Sequence, residues 1–281
     1  MNASVPFSVS DAAAWTTAPV GESTKYRRGV LGVATGSAAY PGAAVLGVDA
    51  AVHTGVGMVR YAGPDRAGDF VLMRRPEVVV GTGRVQAWLV GSGISAGSLG
   101  ELDPATAEAF RHASDDGVPV VVDAGAIPLV DLGPLAVLTP HAGELAALLD
   151  TDRETVEHDP RGSALRAAEQ TGSVVLLKGA DTHVVTPDGS VDLVASAATP
   201  WLAAAGAGDV LGGVLGALVA TRAAQGPLTP EDLAHLAATA AVVHGTAARR
   251  ASDGGPFPMA ALIAELPGVV RDLVTTGDAL A

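Results

Sequence analysis

The sharpest chemical signal in this 281-residue sequence is Ala205-Gly206-Ala207-Gly208-Asp209, which opens a helix continuing Val210-Leu211-Gly212-Gly213. Free N–H groups at a helix start, reinforced by the positive end of the dipole, bind anions, and glycines let the backbone approach a phosphate closely. Asp209 falls in the first helical turn, within reach of whatever the glycines hold. A carboxylate there can take a proton from a hydroxyl or ammonium group. A Gly-rich turn with Asp209 as a simple helix cap produces the same pattern. No Gly-Lys-Ser/Thr follows, so this is not a P-loop, and the spacing is not that of a dinucleotide fingerprint.

Four other segments have chemistry to offer. In Lys178-Gly179-Ala180-Asp181-Thr182, a lysine leaving a strand end suits a phosphate, Gly179 permits close backbone approach and Thr182 supplies a hydroxyl; an exposed turn with a solvated lysine is the plainer alternative. In Thr139-Pro140-His141-Ala142-Gly143-Glu144, His141 is a ligand contact or a general acid/base, or an ordinary loop histidine. Glu144 charges the first turn of the helix that follows. Asp123 ends a very apolar strand, where a carboxylate either holds Mg²⁺ through water or binds its own turn. Pro41-Gly42-Ala43-Ala44 starts a small-residue helix that forms a flat wall for a planar ligand or packs closely on a sheet.

The elements that must position these residues follow from apolar runs alternating with helical patterns. Strands are predicted over 31–34, 58–62, 77–80, 87–90, 118–122, 135–138 and 174–177, with a hairpin, 184–186 and 191–194, around Pro187-Asp188-Gly189. Helices are predicted over 41–54, 103–113, 144–149, 163–170, 209–223 and 230–251, and over 259–274 with an interruption at Pro267-Gly268. Continuous apolar strands alternating with helices imply an α/β fold with a mostly parallel sheet covered on both faces. In such sheets ligands bind outside the carboxyl ends of the strands. Five strands end in small or polar loops: Thr35-Gly36-Ser37, Gly91-Ser92-Gly93, Asp123-Ala124-Gly125, Thr139-Pro140-His141 and Lys178-Gly179. A parallel sheet brings all five to one edge. Residues 1–24 form a leader of low pattern, and 25–281 read as a single domain.

Composition removes several function classes. Hydrophobic residues make up 48%, enough for a large core, but aromatics only 4%, which leaves no stacking platform for single-stranded nucleic acid. The net charge of −13 without a basic cluster argues against a phosphate-backbone partner. The absence of cysteine excludes disulfides, thiolate nucleophiles and Cys-based zinc sites, and the seven histidines are scattered. The first fifteen residues lack a signal-peptide pattern. The most apolar stretch, 201–220, carries five glycines and Asp209, unlike a bilayer helix. A cytoplasmic location is the expectation.

In order and at these spacings the segments resemble the ADP-dependent NAD(P)H-hydrate dehydratases of the ribokinase-like superfamily. The resemblance runs from about Lys25 to Leu273 through GVLGVATGSAAYPGAAVLGVDAAVHTGVGMV, VGSGI, PVVVDAGAI, VLTPHAGEL, VVLLKGADT, AAGAGDVLGGVLGAL and VHGTAA. It implies a ribokinase-like three-layer sandwich and a repair reaction. In that reaction, water is removed from the S epimer of NADHX or NADPHX at the expense of ADP, with Mg²⁺, giving NAD(P)H, AMP and phosphate. By the resemblance Asp209 is the base that activates the hydroxyl, and the N–H groups of Ala207, Gly208 and Asp209 stabilise the transferring group. Lys178, Gly179, Ala180, Asp181, Thr182, Gly206, Ala207 and Gly208 map to the nucleotide. Ala43, Ala44, Gly93, Asp123, His141 and Asp209 map to the hydrate. It also implies a homo-oligomer, a tetramer in many members. Bacterial members are often fused to an epimerase domain, for which this chain is too short. Three positions depart from the family pattern: Ser92 and Ala142 stand where proline is frequent, and Ala207 where threonine is. Gly-Ala-Gly-Asp is common in related sugar and vitamin kinases, so a small-molecule kinase of the same fold, acting on a hydroxymethylpyrimidine, thiazole or sugar, is the alternative.

Overall fold

A computed structural model describes residues 3–94, 97, 99–130 and 132–280. Ten strands, β1 (Val5–Pro6), β2 (Val30–Ala34), β3 (Met58–Tyr61), β4 (Val79–Val80), β5 (Ala87–Val90), β6 (Val120–Val122), β7 (Ala136–Leu138), β8 (Val174–Leu177), β9 (Thr182–Val185) and β10 (Asp192–Ala195), form one sheet of order β1-β10-β9-β8-β7-β6-β5-β2-β3-β4. The run from β8 to β4 is parallel throughout, whereas β9 is antiparallel to both its neighbours. The helices are α1 (Val9–Ala13), α2 (Pro41–Thr54), α3 (Asp65–Arg74), α4 (Pro104–Asp115), α5 (Ala142–Leu148), α6 (Arg153–His158), α7 (Pro160–Thr171), α8 (Ala207–Ala223), α9 (Pro230–Ser252) and α10 (Met259–Leu280).

Side chains alternate across a strand, so a strand buried on both faces feeds two cores. Leu31, Leu89, Val121 and Leu176 face a core built with α1, α2, α3, α8, α9 and α10. Their neighbours Val30, Val90, Val122 and Val175 face a second core built with α4, α5, α6 and α7. This is the three-layer sandwich expected from the apolar runs. Helices α2 and α8 cross at glycine: a Cβ on Gly213 would lie 2.2 Å from the Gly47 carbonyl oxygen. Bare backbone at that crossing seats the start of α8 over the carboxyl end of β5.

Most predicted elements appear within a few residues of their expected bounds, including the β9–β10 hairpin, whose Gly189 has φ 67°. Two differences are instructive. The stretch 1–24, where the sequence shows little pattern, contributes β1, which pairs in parallel with β10, and α1, whose Ala12 and Ala13 are buried. A two-residue strand and a five-residue helix are too short to display a period. Helix α10 runs unbroken through Pro267, because Leu262, Ile263, Leu266, Val269 and Leu273 on both sides of it are buried in one stripe. That packing outweighs the one backbone hydrogen bond a proline removes. No described helix is long and apolar enough to cross a membrane.

Candidate active site

The parallel sheet does bring the five strand-end loops to one edge, where they meet the first turn of α8. Gly206 caps that helix with φ 90°, a left-handed backbone that glycine adopts without strain; the Ala207 N–H donates to the Ala204 carbonyl at 3.3 Å, and the N–H groups that follow it in the first turn have no intrahelical acceptor. Asp209, in that first turn, accepts a hydrogen bond from the Ser92 hydroxyl on the loop after β5. Burial pushes the Asp209 carboxyl above the usual range; the Ser92 bond pulls it down, the nearby Asp123 charge pushes it up, and Lys178 pulls it down. A carboxylate held in this balance is a proton acceptor stronger than a solvated one.

Lys178, at the end of β8, is the hub of the edge. Its Nζ lies 3.1 Å from Asp123 Oδ1 and 3.8 Å from Glu144 Oε2. The Thr139 hydroxyl donates to the same Asp123 oxygen at 3.0 Å. The ammonium also sits over the first turn of α8, since a Cβ on Gly208 would be 3.4 Å from Nζ. Asp123 and Glu144 therefore hold a cation where a phosphate would meet it together with the helix N-terminus.

His141 caps α5 in a reciprocal box. Its Nδ1 accepts from the Glu144 N–H at 3.1 Å, and Glu144 Oε2 accepts from the His141 N–H at 2.7 Å. The ring remains largely exposed, next to Lys178, with which His141 forms an isolated parallel bridge. On the far side of Asp209 the backbone is packed too closely for side chains. The Gly36 N–H donates to the Ser92 carbonyl at 2.7 Å, and a Cβ on Gly93, whose φ is 70°, would lie 2.8 Å from Ala43 Cβ. Ala43 and Ala44 are buried here, so the small-residue start of α2 serves close packing as well as forming one wall.

The residues singled out from the sequence separate into two groups. A cavity of about 610 Å³ is lined by Lys178, Gly179, Ala180, Thr182, Ala207, Gly208 and His141, and closed by apolar residues that include Leu202, Leu211 and Ala241. Asp181 faces an adjoining cavity of about 590 Å³ and takes a hydrogen bond from the Ser196 hydroxyl. Ala43, Gly93, Asp123 and Asp209 gather instead around the turn, joined through Gly36, Ser92 and Lys178. Sequence reasoning assigned no role to Ser92 or His244. Ser92 stands in a strand-end loop as a departure from the family pattern, and its partner lies 117 positions away. His244 sits in the middle of the buried face of α9 and also lines the larger cavity.

A family model described as NAD(P)H-hydrate dehydratase matches residues 31–264, which hold every site residue named above. The chain belongs to the NAD(P)H-hydrate dehydratase family. Its similarity to curated family members includes 43% identity to the bifunctional NAD(P)H-hydrate repair enzyme Nnr of Mycobacterium tuberculosis, over 76% of this chain and 46% of that protein. It is 34% identical to the ADP-dependent (S)-NAD(P)H-hydrate dehydratase of Xanthomonas campestris, over 91% of this chain and 92% of the relative. The chain spans about half the length of the bifunctional relatives it matches. Among solved structures, the ADP/ATP-dependent NAD(P)H-hydrate dehydratase of Bacillus subtilis, co-crystallised with ATP and Mg²⁺, superposes with a TM-score of 0.80 at 23% identity, covering 96% of this chain and 99% of that one. A ribokinase-like protein of Enterococcus faecalis gives 0.78 at 18% identity over 96% of each chain. These two likenesses establish the ribokinase-like fold of this dehydratase-family chain.

Proposed function

We propose that this chain uses ADP to dehydrate the S epimer of NADHX or NADPHX, returning NADH or NADPH with AMP and phosphate. The observation that carries the reading is the position of Asp209. Its carboxylate is largely buried at an anion-binding helix start, and Lys178 lies over the same turn. In the first step the hydroxyl of the hydrated ring attacks the β-phosphorus of ADP, Asp209 takes the hydroxyl proton and AMP leaves. In the second, phosphate departs from the ring carbon and the neighbouring carbon loses a proton, which restores the double bond. The N–H groups of Ala207, Gly208 and Asp209 and the Lys178 ammonium face the charge that builds on the transferring group.

The larger cavity takes the nucleotide, with Lys178, Gly179, Ala180, Thr182, Ala207 and Gly208 along it, Gly206 at the helix start beside it and Asp181 facing the adjoining cavity. Ala43, Ala44, Gly93, Asp123 and Asp209 form the hydrate side, together with His141, which also lines the larger cavity. Mg²⁺ is usually held by one or two carboxylates and completed by phosphates and water. Asp123 and Glu144 are the carboxylates in position, and Mg²⁺ there would neutralise charge on the nucleotide phosphates. The same reading gives the chain a cytoplasmic setting and a homo-oligomeric state, tetrameric as in many family members, without nucleic-acid or membrane partners.

The test is recovery of reduced-nicotinamide absorbance from S-NADPHX with Mg²⁺, with ADP and ATP run side by side. Recovery that requires a nucleotide is the expected result. Folded protein that gives none with either nucleotide refutes the dehydratase reading, and phosphorylation of a hydroxymethylpyrimidine, thiazole or sugar in its place points to the kinase alternative.

A further inference from the structure

The motif Val243-His244-Gly245-Thr246 lies in the middle of α9, and neither the fold nor the proposed reaction accounts for a histidine there. His244 is 6% exposed, and its ring borders the larger cavity beside Ala207, Gly208 and Lys178. Ala207, the first residue of α8, lines the same cavity as the ring. Nevertheless the enclosed Nε2 of the ring makes no close hydrogen bond among the described residues. The next residue fixes the helix on the opposite wall, because a Cβ on Gly245 would lie 2.6 Å from the Ala197 backbone. Thus α9 is clamped against the Ala197 loop at one position and reaches the anion-binding turn with the preceding one.

An imidazole so enclosed is neutral, and leaving its polar atom without a good partner is costly, whereas a leucine would pack in the same space without that penalty. The arrangement is explained if the missing partner is supplied when the turn closes on a phosphate. Hydrogen bonds in such sites are commonly long before ligand binding and tighten with it. We infer that His244 is a positioning residue for the anion-binding turn: it bonds the Ala207 backbone and orients the first N–H groups of α8 toward the β-phosphate of the nucleotide. This rests on the proposed nucleotide reading, but assigns to α9 a task that no nucleotide-contacting residue performs.

The test is calorimetric binding of ADP and of AMP, which lacks the β-phosphate, to the full chain and to His244→Ala and His244→Asn, with thermal melts of each. For His244→Ala we expect ADP affinity to fall about tenfold and AMP affinity to change by less than about twofold. His244→Asn, whose amide can still bond the Ala207 backbone, should recover most of the ADP affinity whatever its melting temperature. If His244→Ala does not fold, the His244→Asn and His244→Leu pair gives the same comparison. ADP affinity that is unchanged, or that falls in parallel with AMP, overturns the inference while leaving the nucleotide reading in place. A wild-type chain that binds no ADP overturns both.

Discussion

Ser92 and Asp209 are joined by a hydrogen bond between the loop after β5 and the first turn of α8. The family often carries proline at the first position, which has no hydroxyl to give. In this chain the bond holds the carboxylate in place and partly offsets the rise that burial imposes on it. In the proposed reaction the pair therefore shifts the pH range over which Asp209 serves as the base. Ser92→Ala removes the lowering influence, so the Asp209 carboxyl rises further. A base works only when deprotonated, so the acidic limb of kcat/KM against pH should move to higher pH. A pH–rate profile of wild type and Ser92→Ala checks this; a limb that stays in place or moves down contradicts it.

Replacing Asp209 with Asn keeps the shape of the turn and removes the proton acceptor. Turnover should fall by about 10²–10⁴-fold, the usual span for loss of a general base. ADP affinity should stay near wild type. Steady-state rates together with calorimetric binding separate this from a helix cap, for which the rate would hardly change.

The same substitution bears on stability. The folded Asp209 carboxyl titrates above its ordinary value, so the folded protein binds that proton more readily than the unfolded chain does. Ionised Asp209 therefore costs stability above its folded pKa, and the cost disappears as pH falls below it. Asp209→Asn should melt higher than wild type at neutral pH, and the gain should shrink on acidification. Melting curves across pH check both sign and direction.

Lys178 offers a different signature. Lys178→Met leaves Asp123 and Glu144 without their shared cation and removes a charge from above Gly208. KM for ADP should rise tenfold or more, since a charge-assisted contact is worth roughly 1.5–3 kcal/mol. Nucleotide titrations of initial rate give the value.

Gly213→Ala probes the scaffold. The added methyl would meet the Gly47 carbonyl at 2.2 Å, so α2 and α8 would have to separate. Overpacking of this kind typically costs about 1–3 kcal/mol, and here it should lower both the melting temperature and turnover, because α8 carries Asp209. Denaturant melts and rates measured on the same sample test the coupling.

How much could be read beforehand depended on range. Strands such as 87–90 and 174–177 are runs of apolar residues that only a doubly covered sheet can bury, and they appear as written. Asp103 and Thr229 are residue types that start helices, and each accepts backbone N–H bonds from the first turn of α4 or α9. The five-loop edge followed from topology alone. Pairings between distant positions could not be read, because no local pattern encodes them. Ser92 with Asp209, Lys178 over Gly208, and His244 behind Ala207 each needed the fold first. The β1–α1 segment stayed hidden for a different reason: its contacts lie with β10, α9 and α10, and neither element is long enough to repeat its period twice.

That segment has a practical bearing. The outer edge of β10 would present unpaired N–H and C=O groups beside the hairpin if Val5 and Pro6 did not lie along it. Exposed edges recruit other strands. Trimming the first dozen residues, far from Asp209 in sequence, should therefore show itself first as self-association at high concentration, before any loss of catalytic competence.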